Sequence, residues 1–110
     1  MPFRYRLQKV LDFRERKKEE QAQVVQKAKQ AVWEAEENIR KNNEEIEATK
    51  FNMRHADPMM YESYDKYLIH LWEKAKQLEQ VTIEKQQILD MEQAKLIKLE
   101  QAVKVLEKHK

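Results

Sequence analysis

Apolar residues recur along the first half of the chain in alternating steps of four and three. Leu7, Leu11, Val25, Ala28, Val32, Ala35, Ile39, Ile46 and Met53 lie on this series, with Arg14, Lys18, Gln21, Asn42 and Thr49 at its polar positions. Such spacing is the heptad seam of a coiled coil, because it keeps one stripe of an α-helix facing a partner helix. A second series runs through Tyr64, Leu68, Leu71, Ala75, Leu78, Thr82, Lys85, Leu89, Glu92, Leu96, Leu99, Val103 and Leu106. Val81 and Ile88 lie one residue off it, so the apolar stripe is expected to broaden around Lys85. The positions between are mostly Glu, Lys, Gln and Arg, as on solvated helix faces.

The two series are interrupted at His55-Ala56-Asp57-Pro58, and the heptad phase does not carry across. Proline disfavours a helical residue before it and lacks the N–H that a helix interior needs. Asp followed by Pro is a good helix start, and Arg54 and His55 suit a helix carboxyl end. The spacing therefore predicts helices over about 4–54 and about 58–110, joined by a turn at about 55–57. Antiparallel folding about residue 57 opposes Leu11 to Val103, Val25 to Leu89, Ile39 to Ala75 and Ile46 to Leu68. Apolar meets apolar along most of the length, which favours a hairpin over one kinked helix that dimerises in parallel. The expected fold is all-α, a single long two-helix antiparallel coiled-coil hairpin.

Composition agrees. The chain of 110 residues has no Gly and two Pro, and charged residues make up 38%, a balance suited to long helices. Its core can be only a narrow seam. With no Cys, neither disulfide nor thiolate chemistry is available. No apolar run approaches the roughly 18 residues of a membrane span. The formal net charge is only +2, but it is unevenly spread. Residues 1–18 carry a local +5, residues 95–110 a local +3, and residues 34–47 a local −4. In a hairpin the two basic stretches share one end, where they form a tip suited to an acidic partner. Arg14, Lys17 and Lys18 are its candidate contacts. Without a groove, stacking platform or binding motif, nucleic acid is not an expected partner.

The search for catalytic chemistry is nearly empty. A phosphate loop needs glycine. His55, His70 and His109 lack metal-ligand spacing with carboxylates, so no catalytic, cofactor or metal residue is assigned and no enzyme is expected. The aromatic residues say more. Trp33 follows seam residue Val32, Trp72 follows seam residue Leu71, Phe51 is on an outer face and Tyr67 flanks the seam. A two-helix coil has no second layer to cover them. Tyr67 and Trp72, taken as neighbours, are candidate interface anchors. The alternative is that each ring lies along its own helix over Lys and Glu stems.

The opening Phe3-Arg4-Tyr5-Arg6-Leu7-Gln8-Lys9-Val10-Leu11-Asp12-Phe13-Arg14-Glu15-Arg16-Lys17 resembles the start of the FliJ family of flagellar type III export proteins. Tyr64-Asp65-Lys66-Tyr67-Leu68-Ile69-His70-Leu71 is similar to that family's stretch after the turn. The resemblance implies a non-enzymatic coiled-coil stalk, similar to the central stalk of rotary ATPases and called a chaperone in older naming. It implies binding to the hexameric export ATPase FliI and to the export-gate protein FlhA, with further links to FliH and to export chaperones. It implies a cytoplasmic location, peripheral at the flagellar basal body. The basic tip would face the ATPase ring. Tyr64, Tyr67 and Leu71 would face the gate; Trp72 joins them on expected exposure alone. Family members usually run longer at the carboxyl end, so a truncated or short member is implied. The alternatives are the analogous stalk of a virulence type III secretion system and a structural coiled-coil spacer.

Overall fold

The computed structural model describes the backbone of residues 2–108 and the side chains of residues 4–108. Two long helices, α1 (Pro2–Arg54) and α2 (Tyr61–Lys108), account for nearly all of it, and no strand occurs among the described residues. The expected hairpin is therefore present, with the last two residues of the expected second helix outside the described range.

One boundary differs. The second helix does not begin directly at Pro58: a 3₁₀ turn, Pro58–Met60, precedes α2. Asp57 sits in extended backbone, and its carboxylate accepts from the Met59 N–H at 3.0 Å. The same residue's carbonyl accepts from the Met60 N–H at 2.8 Å. The Asp N-cap and the Pro after it thus act as the sequence implies, but the first turn is the tighter kind common at helix termini. At the other side of the reversal, His55 and Ala56 donate to the carbonyls of Asn52 and Met53. No described residue takes a positive φ, which is how a chain without glycine makes this turn.

The structure has two compact units, Met1–Gln30 with Gln86–Lys110, and Ala31–Lys85. In the first, Leu11, Val25 and Ala28 of α1 and Leu89 and Val103 of α2 are buried. The Gln21 amide donates across the seam to the Glu92 carbonyl at 2.9 Å and to its carboxylate at 2.6 Å. The second unit contains the turn. Its seam holds Val32, Ala35, Ile46, Leu68 and Leu71, with Met53 packed against the last three. Asn42 and Thr49 are buried there too. Thr49 satisfies its hydroxyl within α1, donating to the Glu45 carbonyl at 2.7 Å. Asn42 reaches across, and its Nδ2 donates to the Leu71 carbonyl at 3.0 Å. Both cross-seam bonds pair residues within one position of the expected register.

Burying a Val or Leu on such a seam contributes about 1.5–3 kcal/mol when complete. Every buried residue among those described lies on one of the two series, and the other series members are half-buried, except Arg14 and Lys85, which are exposed. Lys85 is the exposed member of the second series, and Val81 and Ile88 are also exposed. The stripe near Lys85 therefore does not broaden into the seam; those two side chains stand on its flank.

Candidate functional site

The turn unit holds the residues expected to meet a partner near the turn. Residues on either side of a seam residue flank it on opposite sides, because each step along an α-helix turns about 100°. Tyr67 precedes Leu68, and Trp72 follows Leu71; five steps separate them by about 140° around the helix. Both are exposed, Tyr67 at 43% and Trp72 at 48%. They do not form the neighbouring pair expected from sequence: they stand on opposite flanks of α2. The sequence interval of five would have shown this had it been set on a helical wheel.

Tyr67 crosses to the other helix. Its hydroxyl donates to the Glu45 carboxylate at 3.0 Å. That acceptor favours the protonated phenol, so the Tyr67 pKa is raised above its ordinary value. Its ring also stacks on His70, with centroids 6.3 Å apart. Leu71 is only 3% exposed and belongs to the seam cluster with Ile46 and Leu68. It supports the surrounding surface but offers a partner almost no area of its own. Tyr64 is half-buried; with Met60, Ser63 and Tyr67 it lines a small apolar notch of about 280 Å³.

A larger open groove, about 560 Å³, follows the Tyr67 flank. Its α1 wall is Asn38, Lys41, Asn42 and Glu45; its α2 wall is Tyr67, Leu71, Lys74 and Leu78. The α2 wall steps by four, three and four residues, and the α1 wall runs from Asn38 to Glu45 through the adjacent pair Lys41 and Asn42, so the groove runs along the helices. Trp72 is not part of it. The residues missed by sequence reasoning are Asn38, Lys41, Glu45 and Lys74. They look like solvated helix face, and only the cross-helix register brings them to one groove.

The other unit contains the basic stretches of α1 and α2, with Lys110 outside the described residues. Arg14 and Lys17 are exposed, while Lys18, at a seam position, is half-buried along its stem. Lys17 pairs with Glu20 at 3.5 Å and lies over the Phe13 ring at 5.5 Å from its centroid. Lys9 lies over Tyr5 at 4.7 Å. Arg14 has no ion-pair partner among the described residues. Glu92, bonded by Gln21 and then by Lys95, has its pKa lowered.

On the back of α1, the Arg40 guanidinium bonds Glu37 and Glu44, lowering the Glu37 pKa through its hydrogen bond first. These are surface ion pairs at helical spacing, each worth little. Trp33, 57% exposed, has no ring partner among the described residues. Among the described residues no three His, Asp or Glu gather as metal ligands, and no helix is long and apolar enough to cross a membrane.

The chain matches no family model, and no curated protein or solved structure matches it at a significant level.

Proposed function

We propose that this protein is a non-enzymatic coiled-coil stalk of the flagellar type III export kind, working by contact with other proteins at the cytoplasmic face of the basal body. Its partners in this reading are the export ATPase FliI and the gate protein FlhA, with FliH and export chaperones as further contacts. The observation that carries the reading is the antiparallel pairing itself. It brings the opening segment that resembles the FliJ family beside the basic carboxyl-terminal stretch of α2, in one compact unit. The family resemblance of Tyr64 to Leu71 adds a second point, with Tyr67 exposed and Leu71 as its packing support.

A stalk that seats in a ring needs a long, stiff pair of helices and a charged end, and needs no pocket for chemistry. The basic end supplies long-range attraction to an acidic collar, which salt weakens. Reversing Arg14, Lys17 and Lys18 to Glu is expected to weaken association with the hexameric ATPase at least tenfold. Wild-type association should fall as salt rises from about 0.05 M to 0.3 M, since the Debye length shrinks below 10 Å over that range. Circular dichroism checks that the variant stays helical. Full, salt-independent association after the reversal would exclude this end as the ring contact.

A further inference from the structure

In the unit that holds the chain termini, Met1–Gln30 with Gln86–Lys110, a second row of residues runs beside each seam. On α1 it steps by four and three from Arg6 to Lys27, and on α2 from Ile88 to Val105. Helices that pair antiparallel through equivalent seam positions carry their equivalent rows on one flank. In the turn unit Glu45 and Tyr67, each just before a seam residue, meet in this way. The rows of the terminal unit hold six exposed large apolar side chains, Val10, Phe13, Val24, Ile88, Met91 and Val105. They also hold Arg6, Lys17, Lys27, Lys95 and Lys98 against Glu20, a net +4. The Lys17 ammonium lies over the Phe13 ring, so ring and cation are presented together. The opposite flank is the reverse. From Tyr5 to Lys29 and from Gln86 to Glu107, its rows hold Asp12, Glu15, Glu19, Asp90, Glu100 and Glu107 against Lys29 and Lys104, a net −4. Its exposed large apolar side chains are Tyr5 and Ile97. The unit is polarised across its width, apolar and basic on one flank and acidic on the other.

We infer that the apolar, basic flank of the terminal unit lies on an anionic lipid surface. Apolar side chains enter the boundary between headgroups and acyl chains, while lysines on the same side reach the phosphates along their stems. No described helix is long and apolar enough to cross a membrane, so the contact is along the surface. The acidic flank favours a lipid surface over an acidic partner helix. A helix seated on the near flank is indifferent to the far one. A charged plane acts on every group within about a Debye length, so it favours a body whose acids are turned away. A second copy fits less well. Its own basic flank repels, and its acidic flank offers Tyr5 and Ile97 to six apolar side chains. The inference does not rest on the stalk reading, which is tested on the ATPase and not on lipid.

The test uses the full chain and two vesicle preparations, phosphatidylcholine alone and phosphatidylcholine with phosphatidylserine in equal parts. The chain is expected to bind the mixed vesicles at least tenfold more tightly than the neutral ones, and less tightly as salt rises. Because the chain has no Cys, an environment-sensitive dye can be attached at one chosen position. On Met91→Cys its emission should shift to the blue with mixed vesicles. On Gln26→Cys, an exposed position of the acidic flank, it should not. Lys27→Glu with Lys98→Glu, both exposed, should keep the helicity and weaken binding at least tenfold. Lys50→Glu with Lys66→Glu makes the same change in net charge on the turn unit and should leave binding within a few-fold. Equal binding to the two vesicle preparations, blue shifts at both labels, or equal losses in the two double variants would overturn the inference. So would no binding to mixed vesicles; a blue shift at Met91→Cys on adding a Glu-edged helical peptide would then give the flank to a protein partner. A doubled mass of the free chain, with the Met91→Cys label already blue-shifted, would overturn it in favour of a second copy.

Discussion

Replacing Asn42 with Leu should make the hairpin more stable. The side chain is almost fully buried in the seam, where it makes one hydrogen bond and leaves one acceptor unmet. Losing the bond to the Leu71 carbonyl costs about 0.5–1.5 kcal/mol. No new orphan appears, because that carbonyl still lies within the helical ladder of α2. Removing the unsatisfied Oδ1 returns about 1–3 kcal/mol. An apolar side chain of similar size adds part of the 1.5–3 kcal/mol of a buried Leu. The balance is a gain of roughly 1–3 kcal/mol, or a melting midpoint higher by about 5–15 °C for a chain of this size. The same change should loosen register specificity, since a lone seam Asn aligns one helix on the other. Urea and thermal unfolding followed by circular dichroism measure the first effect. A midpoint that stays put or falls would show that the Oδ1 is satisfied in solution or that the bond to Leu71 is worth far more than an ordinary one.

Replacing Val25 and Leu89 together with Asp places two carboxylates on the apolar seam and should cost several kcal/mol, enough to drop the thermal midpoint sharply; an unchanged midpoint would refute the register. The pH profile should be a plateau with two shoulders. Glu92 and Glu37 have lowered pKa values, so the stability they contribute is complete above the ordinary glutamate value of 4.5 and is lost as pH falls through their folded values. Tyr67 has a raised pKa, so its contribution is complete below the ordinary tyrosine value of 10.0 and is lost as pH rises through the folded value. Both shoulders should be shallow, since Tyr67 is exposed and Glu37 and Glu92 are only partly buried. Melting curves of Glu92→Gln and Tyr67→Phe should each flatten the corresponding shoulder, and a variant that leaves its shoulder intact would remove that group from the account.

The seam was legible because period is a strong signal in long helices. Of seven residues that spacing alone placed in the seam, Leu11, Val25, Leu68, Leu89 and Val103 are buried, while Ile39 and Leu99 are only half-buried. The reversal was legible from Asp57-Pro58, but the choice of a 3₁₀ opening over a direct α-helical start depends on local hydrogen bonding that the dipeptide does not specify. The flank was harder to read. Whether Tyr67 and Trp72 share a face depends on how far α2 rotates between them, and which α1 residues face Tyr67 depends on the cross-helix register. Glu45 and Asn38 carry no local mark of their role. Nor does spacing tell how far a charged seam residue is covered: Lys18 is half-buried along its stem, whereas Arg14 is exposed.

The central claim, that this hairpin is the stalk of an export ATPase, is tested most directly by the ATPase's own turnover. ATP hydrolysis by the purified export ATPase should rise several-fold on adding the chain in stoichiometric excess over hexamer, with hexamers more abundant by sedimentation. The rise should be lost when Arg14, Lys17 and Lys18 are reversed to Glu. Unchanged hydrolysis and unchanged assembly with a fully helical chain would contradict the stalk assignment.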